Sequence, residues 1–372
     1  MVDIILENNK VDVLTSHRYE LFFISIFGVK RVESKIKSSV HTNELDNLER
    51  SSSARVNFLK KFNKIRKTIV WVRYLRNLML FPVKYLHVRK FLSEKEYDVV
   101  ITNNMYNDLE HIFYYHGLNK VASIRNSPRE VFFQRVLPKI LPLKLYYGGV
   151  SFVSVSKDSE YELKAIFRDS FITTIYNPFD FDEINTLSNA KESNYYLEGN
   201  KKYFVIVGSL CKRKRVDLAI AAVAKLDLSV FLIIVGAGEE YKNLKLMAKE
   251  LGVEDRVLFT GVVQNPYVIM KNALGTILTS ESEGLPRVLV ESLIVGTPVI
   301  STDCPTGPKE LLGEKSKFLI PMKDDLYIID KLTQRLEVLI DNNDYPYIEL
   351  SMFHPDEIVR NWEKLLFSKV NR

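Results

Sequence analysis

The sequence predicts an α/β protein made of two units, each an open parallel sheet with helices between its strands. Three observations predict it. Short apolar runs alternate with helical patterns along most of the 372 residues, the order in which strands and crossover helices follow one another in such sheets. The stretch Leu278 to Leu312, LTSESEGLPRVLVESLIVGTPVISTDCPTGPKELL, passes from the end of an apolar run through loop and helix to another short run, the repeating unit of a buried parallel sheet. An Asn-Pro turn at 177–178, followed by a polar stretch, separates two such patterns. With 46% hydrophobic residues, the chain has ample material for two domains.

In the first half, Val11 to Leu14 reads as a strand and Phe22 to Ile26 as a further apolar element. Asp98 to Thr102 (DVVIT) is a strand ending in Asn103 and Asn104. A helix follows over Tyr106 to Tyr115, closed by Gly117. Lys120 to Ile124 (KVASI) is a strand ending at Arg125 and Asn126, and Phe152 to Val155 is another, with Ser154, Ser156 and Lys157 at its end. Carboxyl ends of strands form the ligand crevice of an open α/β sheet. Asn103, Arg125, Asn126 and Ser156 are therefore placed at a cleft. Pro128 to Gly149 is basic, aromatic and apolar together. It reads equally as an acceptor-side loop, a surface-contacting element or a buried connecting helix. His111 and His116, on or beside the preceding helix, read as structural.

Composition narrows the function. The balance of 52 basic against 46 acidic residues gives a net charge of +6, too mild for a nucleic-acid signature. Cys211 and Cys304 form no disulfide framework or metal cluster and fit a reducing compartment. No apolar run reaches the roughly 18 residues that a bilayer crossing needs, and the start has no basic region followed by an apolar core. The basic excess is concentrated instead. From Ser51 through Ser93 there is no Asp or Glu, while Lys60, Lys61, Lys64, Arg66, Lys67, Arg73 and Arg76 alternate with Phe58, Phe62, Ile65, Ile69 and Trp71. This is basic amphipathic helix. It suits the anionic surface of a membrane, with an ordinary surface helix packed on a domain as the other reading.

After the Asn-Pro turn, Asn185 to Lys202 reads as a linker. A second doubly wound pattern then starts. Tyr203 to Val207 is a strand, followed by Gly208, Ser209, Leu210 and the basic loop CKRKR (211–215). A helix covers Val216 to Lys225, a strand Val230 to Val235, a helix Tyr241 to Leu251, and a strand Val257 to Thr260. The GAG loop at 236–238 lacks the spacing of a dinucleotide fingerprint, and no GxxxxGK[ST] motif is present, so neither an NAD site nor a phosphate loop of that type is expected. His354 to Phe367 reads as a final helix, with Trp362 and Leu365 as its anchors.

The chemistry sits on two acids and a basic loop. Glu283 lies where the helix of the 278–312 stretch begins, and Glu291 about two turns on. Backbone N–H groups at a helix start, together with one or two of the cations Lys212, Arg213, Lys214 and Arg215, suit a diphosphate. An ionised carboxylate only accepts hydrogen bonds, so each acid suits a pair of sugar hydroxyls. That points to a nucleotide sugar, with ribose at Glu291, diphosphate at Lys214 and the Gly284 loop, and hexose near Glu283. The plain alternative is a pair of solvated helix acids.

These residues also resemble a known family. Glu283-Gly284-Leu285-Pro286 and Glu291, with seven residues between the acids, are similar to the EX7E signature of retaining glycosyltransferases of family 4, and TPVISTDCPTGPKELL is similar to its continuation. NPFD at 177–180 resembles that family's interdomain turn, VGSL with Lys214 and then DLAI resembles its VGRL…K…LI segment, and FTG at 259–261 resembles the loop beside the nucleotide base. The likeness is strong over about 150–312. It implies the GT-B fold of two facing Rossmann-like domains, here 1–180 on the acceptor side and 181–350 on the donor side, with a helix over 351–372 returning to the first. It implies transfer of a hexose or N-acetylhexosamine from a UDP- or GDP-sugar, UDP favoured, with retention and without a metal or separate cofactor. Lys214 and Glu283 would be catalytic. Gly208, Ser209, Arg215, Gly261, Gly284, Leu285, Pro286 and Glu291 would hold the donor, and Asn103, Arg125 and Asn126 would face the acceptor.

The sequence departs from the family at three places. Ser209 stands where the family has arginine, Arg125 where it often has histidine, and the glycine-rich loop after the first strand has no clear copy near the start. A basic, aromatic first domain fits a glycan or lipid-linked acceptor held at a membrane, as in surface polysaccharide assembly on the cytoplasmic face. A non-catalytic binding subunit and a nucleotide-sugar epimerase of the same architecture are the competing expectations.

Overall fold

The computed structural model describes residues 99–103, 116–133, 147–190, 201–341 and 345–370, together with Pro82, Tyr85, Leu86 and Lys90. The elements expected at Val11–Leu14 and Phe22–Ile26, the helix expected over 106–115, and the acid-free span 51–93 apart from those four positions lie outside the described residues. The chain divides into two compact units, 1–97 with 113–116 and 98–112 with 117–372. The second unit carries both sheets.

The first sheet is built from β1 (Val99–Asn103), β2 (Asn119–Ile124), α1 (Pro128–Phe133), β3 (Val150–Ser154), α2 (Lys157–Ile166) and β4 (Ile172–Thr174). Its strands are parallel in the order β1-β2-β3-β4. Proline opens α1, where its missing N–H costs nothing. Ser156 caps α2 by accepting from Ser159 N at 3.2 Å, and Asp158 and Glu160 in the first turn favour the positive end of the helix. Ser156 is fully buried in this role, so it does not open onto a cleft as its strand-end position suggested. Phe132, Tyr147, Phe152 and Phe167 share one aromatic core, with Phe152 stacked on Phe167 at 4.5 Å and Phe132 edge-on to Tyr147 at 5.3 Å. The 128–149 stretch is thus anchored in the core at both its described ends. Residues 134–146 lie outside the described residues.

The Asn-Pro turn leads into α3 (Phe181–Ser188), capped by Asp180 accepting from Glu183 N at 2.8 Å. The polar residues from Asn185, expected to begin a linker, are the last turn of this helix. Ile184 and Ser188 supply its buried side, which meets helices of the second sheet. Residues 191–200 lie outside the described residues.

The second sheet follows as β5 (Lys202–Val207), α4 (Val216–Ala224), β6 (Val230–Val235), α5 (Tyr241–Glu250), β7 (Val257–Gly261), α6 (Tyr267–Lys271), β8 (Gly275–Leu278), α7 (Arg287–Ile294), β9 (Val299–Thr302), α8 (Pro308–Leu312), β10 (Leu319–Ile320) and α9 (Asp325–Asp341). All six strands are parallel, in the order β10-β9-β8-β5-β6-β7. The chain winds outward from β5 to β7, then returns to lay β8 on the other side of β5. The strand order therefore reverses between β5 and β8. Helices cover both faces over separate cores, which is why the strands read as unbroken hydrophobic runs. Arg256 is a buried charge that this core accommodates. Its guanidinium donates to the carbonyls of Asp227 at 2.9 Å and Val230 at 3.2 Å.

The final helix, α10 (Pro355–Val370), buries Ile358, Trp362 and Leu365 on one side. It ends beside the first sheet, where Asn119 Nδ2 donates to Lys369 O at 3.0 Å. The return to the first half expected for this helix is present, with Trp362 and Leu365 as its buried side chains.

Candidate functional site

Ligands of open α/β sheets bind beyond the carboxyl ends of the strands where the order reverses. Here that point lies between β5 and β8. The loop after β5 runs from Gly208 to Arg215 and the loop after β8 from Thr279 to Pro286. The two are tied together. Thr279 Oγ1 donates to Lys214 O at 3.0 Å, and Glu281 N donates to Arg213 O at 2.8 Å.

The basic loop folds into one 3-10 turn, Lys212–Lys214, and then passes through the left-handed region at Arg215, with φ of 45°. That turn separates neighbouring cations. Lys214 Nζ lies 2.6 Å from Glu283 Oε1, and Arg213 reaches the same oxygen at 3.2 Å while also donating to Ser282 O. The Glu283 side chain is only 11% exposed. Arg215 faces another way, pairing with Asp217 at 3.0 Å and Asp325 at 2.6 Å. These carboxylates raise its pKa further. Of the four basic residues, Arg213 is thus the companion of Lys214. Arg215, expected to hold the diphosphate, is engaged elsewhere, and Lys212 is exposed. Ser209 is exposed at the start of the loop and brings no charge. Arg213 is the second cation at the Lys214–Glu283 pair.

The glycines of this region have definite reasons. A Cβ on Gly236 (φ +138°) would sit 1.8 Å from Gly208 O, and one on Gly238 would sit 2.2 Å from Leu210 O. The GAG loop after β6 is small because it packs under the β5 loop. Gly208 N donates to Val235 O and Gly236 N to Gly261 O, at 2.9 and 2.8 Å. Gly261, at the end of β7, has φ +72° and open space where a side chain would stand. Beside it, Tyr241 lies edge-on to Phe259 at 5.3 Å.

Gly284 also has a packing reason to be glycine. A Cβ there would lie 2.2 Å from Arg125 O, so the bare backbone makes room for the end of β2 in the first sheet. Leu285 and Pro286 are buried too. The 284–286 turn is therefore a packed joint leading into α7, rather than an open cradle on its side-chain side. On α7, Glu291 is 15% exposed on its side chain and pairs with Arg287 at 3.3 Å. Burial raises its carboxyl pKa, with Arg287 pulling the other way. Tyr267 lies in the same neighbourhood, its phenol pushed up to about 12 by burial and by the charge of Glu291. Neither Glu283 nor Glu291 is a solvated helix acid.

In the first sheet, Asn103 ends β1 in register with Ser123 of β2, and Arg125 and Asn126 follow β2 directly. Asn126 is exposed. Arg125 is half-buried, and its Nε is buried without a hydrogen-bond partner.

Several residues of this neighbourhood were not singled out from the sequence. Glu310, at α8, accepts from Lys157 N at 2.7 Å and from the Tyr176 hydroxyl. Asp158, at the start of α2, accepts from Gly307 N at 3.4 Å. Each half of the unit thus offers a carboxylate to backbone N–H groups of the other. Burial raises both the Glu310 carboxyl and the Tyr176 phenol. The sequence signal for Glu310 is its place in TGPKELL, two residues after the helix-opening Pro308. Cys304 is buried beside Glu283 and Lys214, and burial, assisted by Glu283, pushes its thiol up to about 12, leaving it neutral. Among the described residues, no group of His, Cys, Asp and Glu is arranged to hold a metal ion.

Residues 189–345 match the family described as glycosyl transferases group 1. The whole described fold is that of the GT-B glycosyltransferases among solved structures. One of these, the HepE protein of Anabaena in complex with UDP and glucose, is 20% identical with a TM-score of 0.55, covering 76% of this chain and 77% of that one. An uncharacterized glycosyltransferase of Methanocaldococcus jannaschii is 27% identical over 322 residues, 79% of each chain. A Campylobacter jejuni enzyme, N-acetylgalactosamine-N,N'-diacetylbacillosaminyl-diphospho-undecaprenol 4-alpha-N-acetylgalactosaminyltransferase, is 34% identical over 140 residues, 38% of this chain and 37% of that protein.

Proposed function

We propose that the chain transfers a hexose or N-acetylhexosamine from a nucleotide sugar, UDP-sugar first, to a glycan or lipid-linked acceptor in surface polysaccharide synthesis, with retention and without a metal. The observation that carries this reading is the Lys214–Glu283 pair at the β5/β8 switch point, 2.6 Å apart and largely shielded from water. A lysine fixed there meets the charge that develops on a departing diphosphate, and needs no reorganisation to do so. Arg213 adds a second cation. Glu283 holds the donor sugar and Glu291 accepts from the ribose hydroxyls, while Gly208, Ser209 and Gly261 line the nucleotide. The attacking hydroxyl approaches on the face that the diphosphate leaves, and the leaving phosphate takes its proton. The UDP and glucose bound by the Anabaena neighbour support the donor class, and the lipid-diphosphate acceptor in the name of the Campylobacter relative supports the acceptor class.

A panel of UDP- and GDP-sugars, scored for hydrolysis and transfer, tests the reading with wild type and Glu291→Gln. The wild type is expected to turn over one donor. Removing the charged acceptor should raise donor KM about 10–100-fold. The sign for stability is opposite. Burial raises the pKa of Glu291, so its ionised form costs folding stability at neutral pH and the neutral amide relieves that cost. The variant should melt no lower than wild type. An unchanged KM in Glu291→Gln removes the ribose role, and a wild type that binds no nucleotide sugar removes the whole assignment.

The acid-free span 51–93 motivates a place for the protein on the inner face of the cell membrane, held by its basic amphipathic segment. Among the described residues, no helix is long and apolar enough to cross a membrane. Sedimentation with anionic liposomes at low salt is expected to carry the protein down, and high salt to release it. Recovery in the supernatant at low salt excludes this attachment.

A further inference from the structure

Two arginines meet at the Gly284 turn, and the donor reading gives neither of them a ligand. Arg125 is the first residue after β2, and its carbonyl lies where a Cβ of Gly284 would stand. Its guanidinium Nε is buried without a hydrogen-bond partner. Arg287 opens α7 three residues beyond Gly284. It is held over the Phe179 ring at 4.4 Å and against Glu291 at 3.3 Å. Burial holds the Arg125 pKa below its ordinary value, and the nearby charge of Arg287 adds to the effect. The carboxylates of this region are already shared. Glu283 serves Lys214 and Arg213, and Glu291 serves Arg287. Among the described residues, no carboxylate pairs with Arg125.

A partly buried guanidinium with an unmet N–H, beside a second one, is costly unless an anion joins it. The planar fork of arginine matches phosphate and carboxylate oxygens, and such charge-assisted bonds are the strong ones. The position matters as much as the charge. Arg125 comes from the first sheet and its carbonyl packs on Gly284, the residue after Glu283, so the anion it takes lies on the first-sheet side of the β8 loop.

We propose that Arg125 and Arg287 form an oxyanion subsite for the acceptor, which carries a phosphate or carboxylate group close to the hydroxyl that receives the sugar. This rests on the glycosyltransferase reading for the word acceptor. The anion site itself does not depend on that reading.

Calorimetric titration of the full chain with inorganic pyrophosphate and with glucuronate, each with and without saturating UDP, tests it. The UDP-saturated wild type is expected to bind one of the two anions at a single site. Pyrophosphate alone points to a phosphate-bearing acceptor, and glucuronate alone to an acidic sugar. Arg125→Gln should weaken that binding at least tenfold, Arg125→Lys should recover part of it, and UDP affinity should stay within twofold of wild type in both, which also reports that they fold. Three results overturn the proposal: neither anion binds once UDP is present, Arg125→Gln binds the anion as wild type does, or Arg125→Gln loses UDP and anion affinity together, which would give Arg125 to the donor diphosphate. A chain that binds no UDP defeats the donor reading instead, and the comparison of wild type with Arg125→Gln in free protein still decides the anion site.

Discussion

Lys214→Ala is expected to lower kcat by about 10²–10³-fold, the scale seen when one preorganised charge is removed from a developing anion. The fold should survive. Lys214 Nζ is largely shielded but its partner Glu283 keeps Arg213 at 3.2 Å, so the variant does not strand a buried carboxylate. The loop around it is held by backbone groups, Thr279 on Lys214 O and Glu281 N on Arg213 O, which alanine leaves in place. Steady-state transfer with the best donor, together with circular dichroism, measures both halves of the expectation. Lys214→Arg should recover part of the rate because it keeps the charge with a different geometry. If Lys214→Ala turns over within threefold of wild type, the leaving-group role belongs to another residue.

Gly236→Ala is expected to be the most destabilising single methyl in the donor half, at about 3 kcal/mol or more. Two effects add at one position. The φ of +138° is a region that residues with a Cβ rarely enter, and the new carbon would sit 1.8 Å from Gly208 O. That neighbour is backbone, so no side chain can swing aside. Relief requires the β5 loop to lift, and that loop carries Lys214. Loss of stability and loss of donor affinity should therefore appear together, in chemical denaturation and in UDP binding. Gly252→Ala is the control, since its φ is +67° with open space around it, and it should cost only the backbone strain. Equal midpoints for the two variants would remove the packing argument.

The regular parts of the donor half were legible because buried parallel strands announce themselves as hydrophobic runs. Val230 to Val235 is legible to the residue, and β5 and β7 within one position. Elements with little sequence of their own were not. β4 has three residues and β10 two, too few to carry a pattern. The 17-residue α9 was missed although its signal is plain. Ile328, Leu332, Leu336 and Leu339 are buried at helical spacing. At the site, spacing brought Glu283 and Lys214 into one hypothesis, and the structure places them 2.6 Å apart. It could not divide Arg213 from Arg215, because the left-handed turn at 215 sends adjacent cations to different acids. Nor could it foresee that Gly284 must be bare to make room for the Arg125 carbonyl. That reason lies 159 positions away in the chain, and only the fold brings the two together.

The crossed carboxylates of Asp158 and Glu310 act as an index between the halves. A single contact would let one half slide on the other while keeping its bond. Here Glu310 is gripped by Lys157 N and the Tyr176 hydroxyl, while Asp158 grips Gly307 N in the reverse sense. A slip of one residue breaks both at once, like a key lifted from two wards. The position of the first sheet against the second is thus set by residues outside the Lys214–Glu283 pair. A substitution at this joint therefore shifts one sheet's strand-end loops against the other's without altering any residue of those loops.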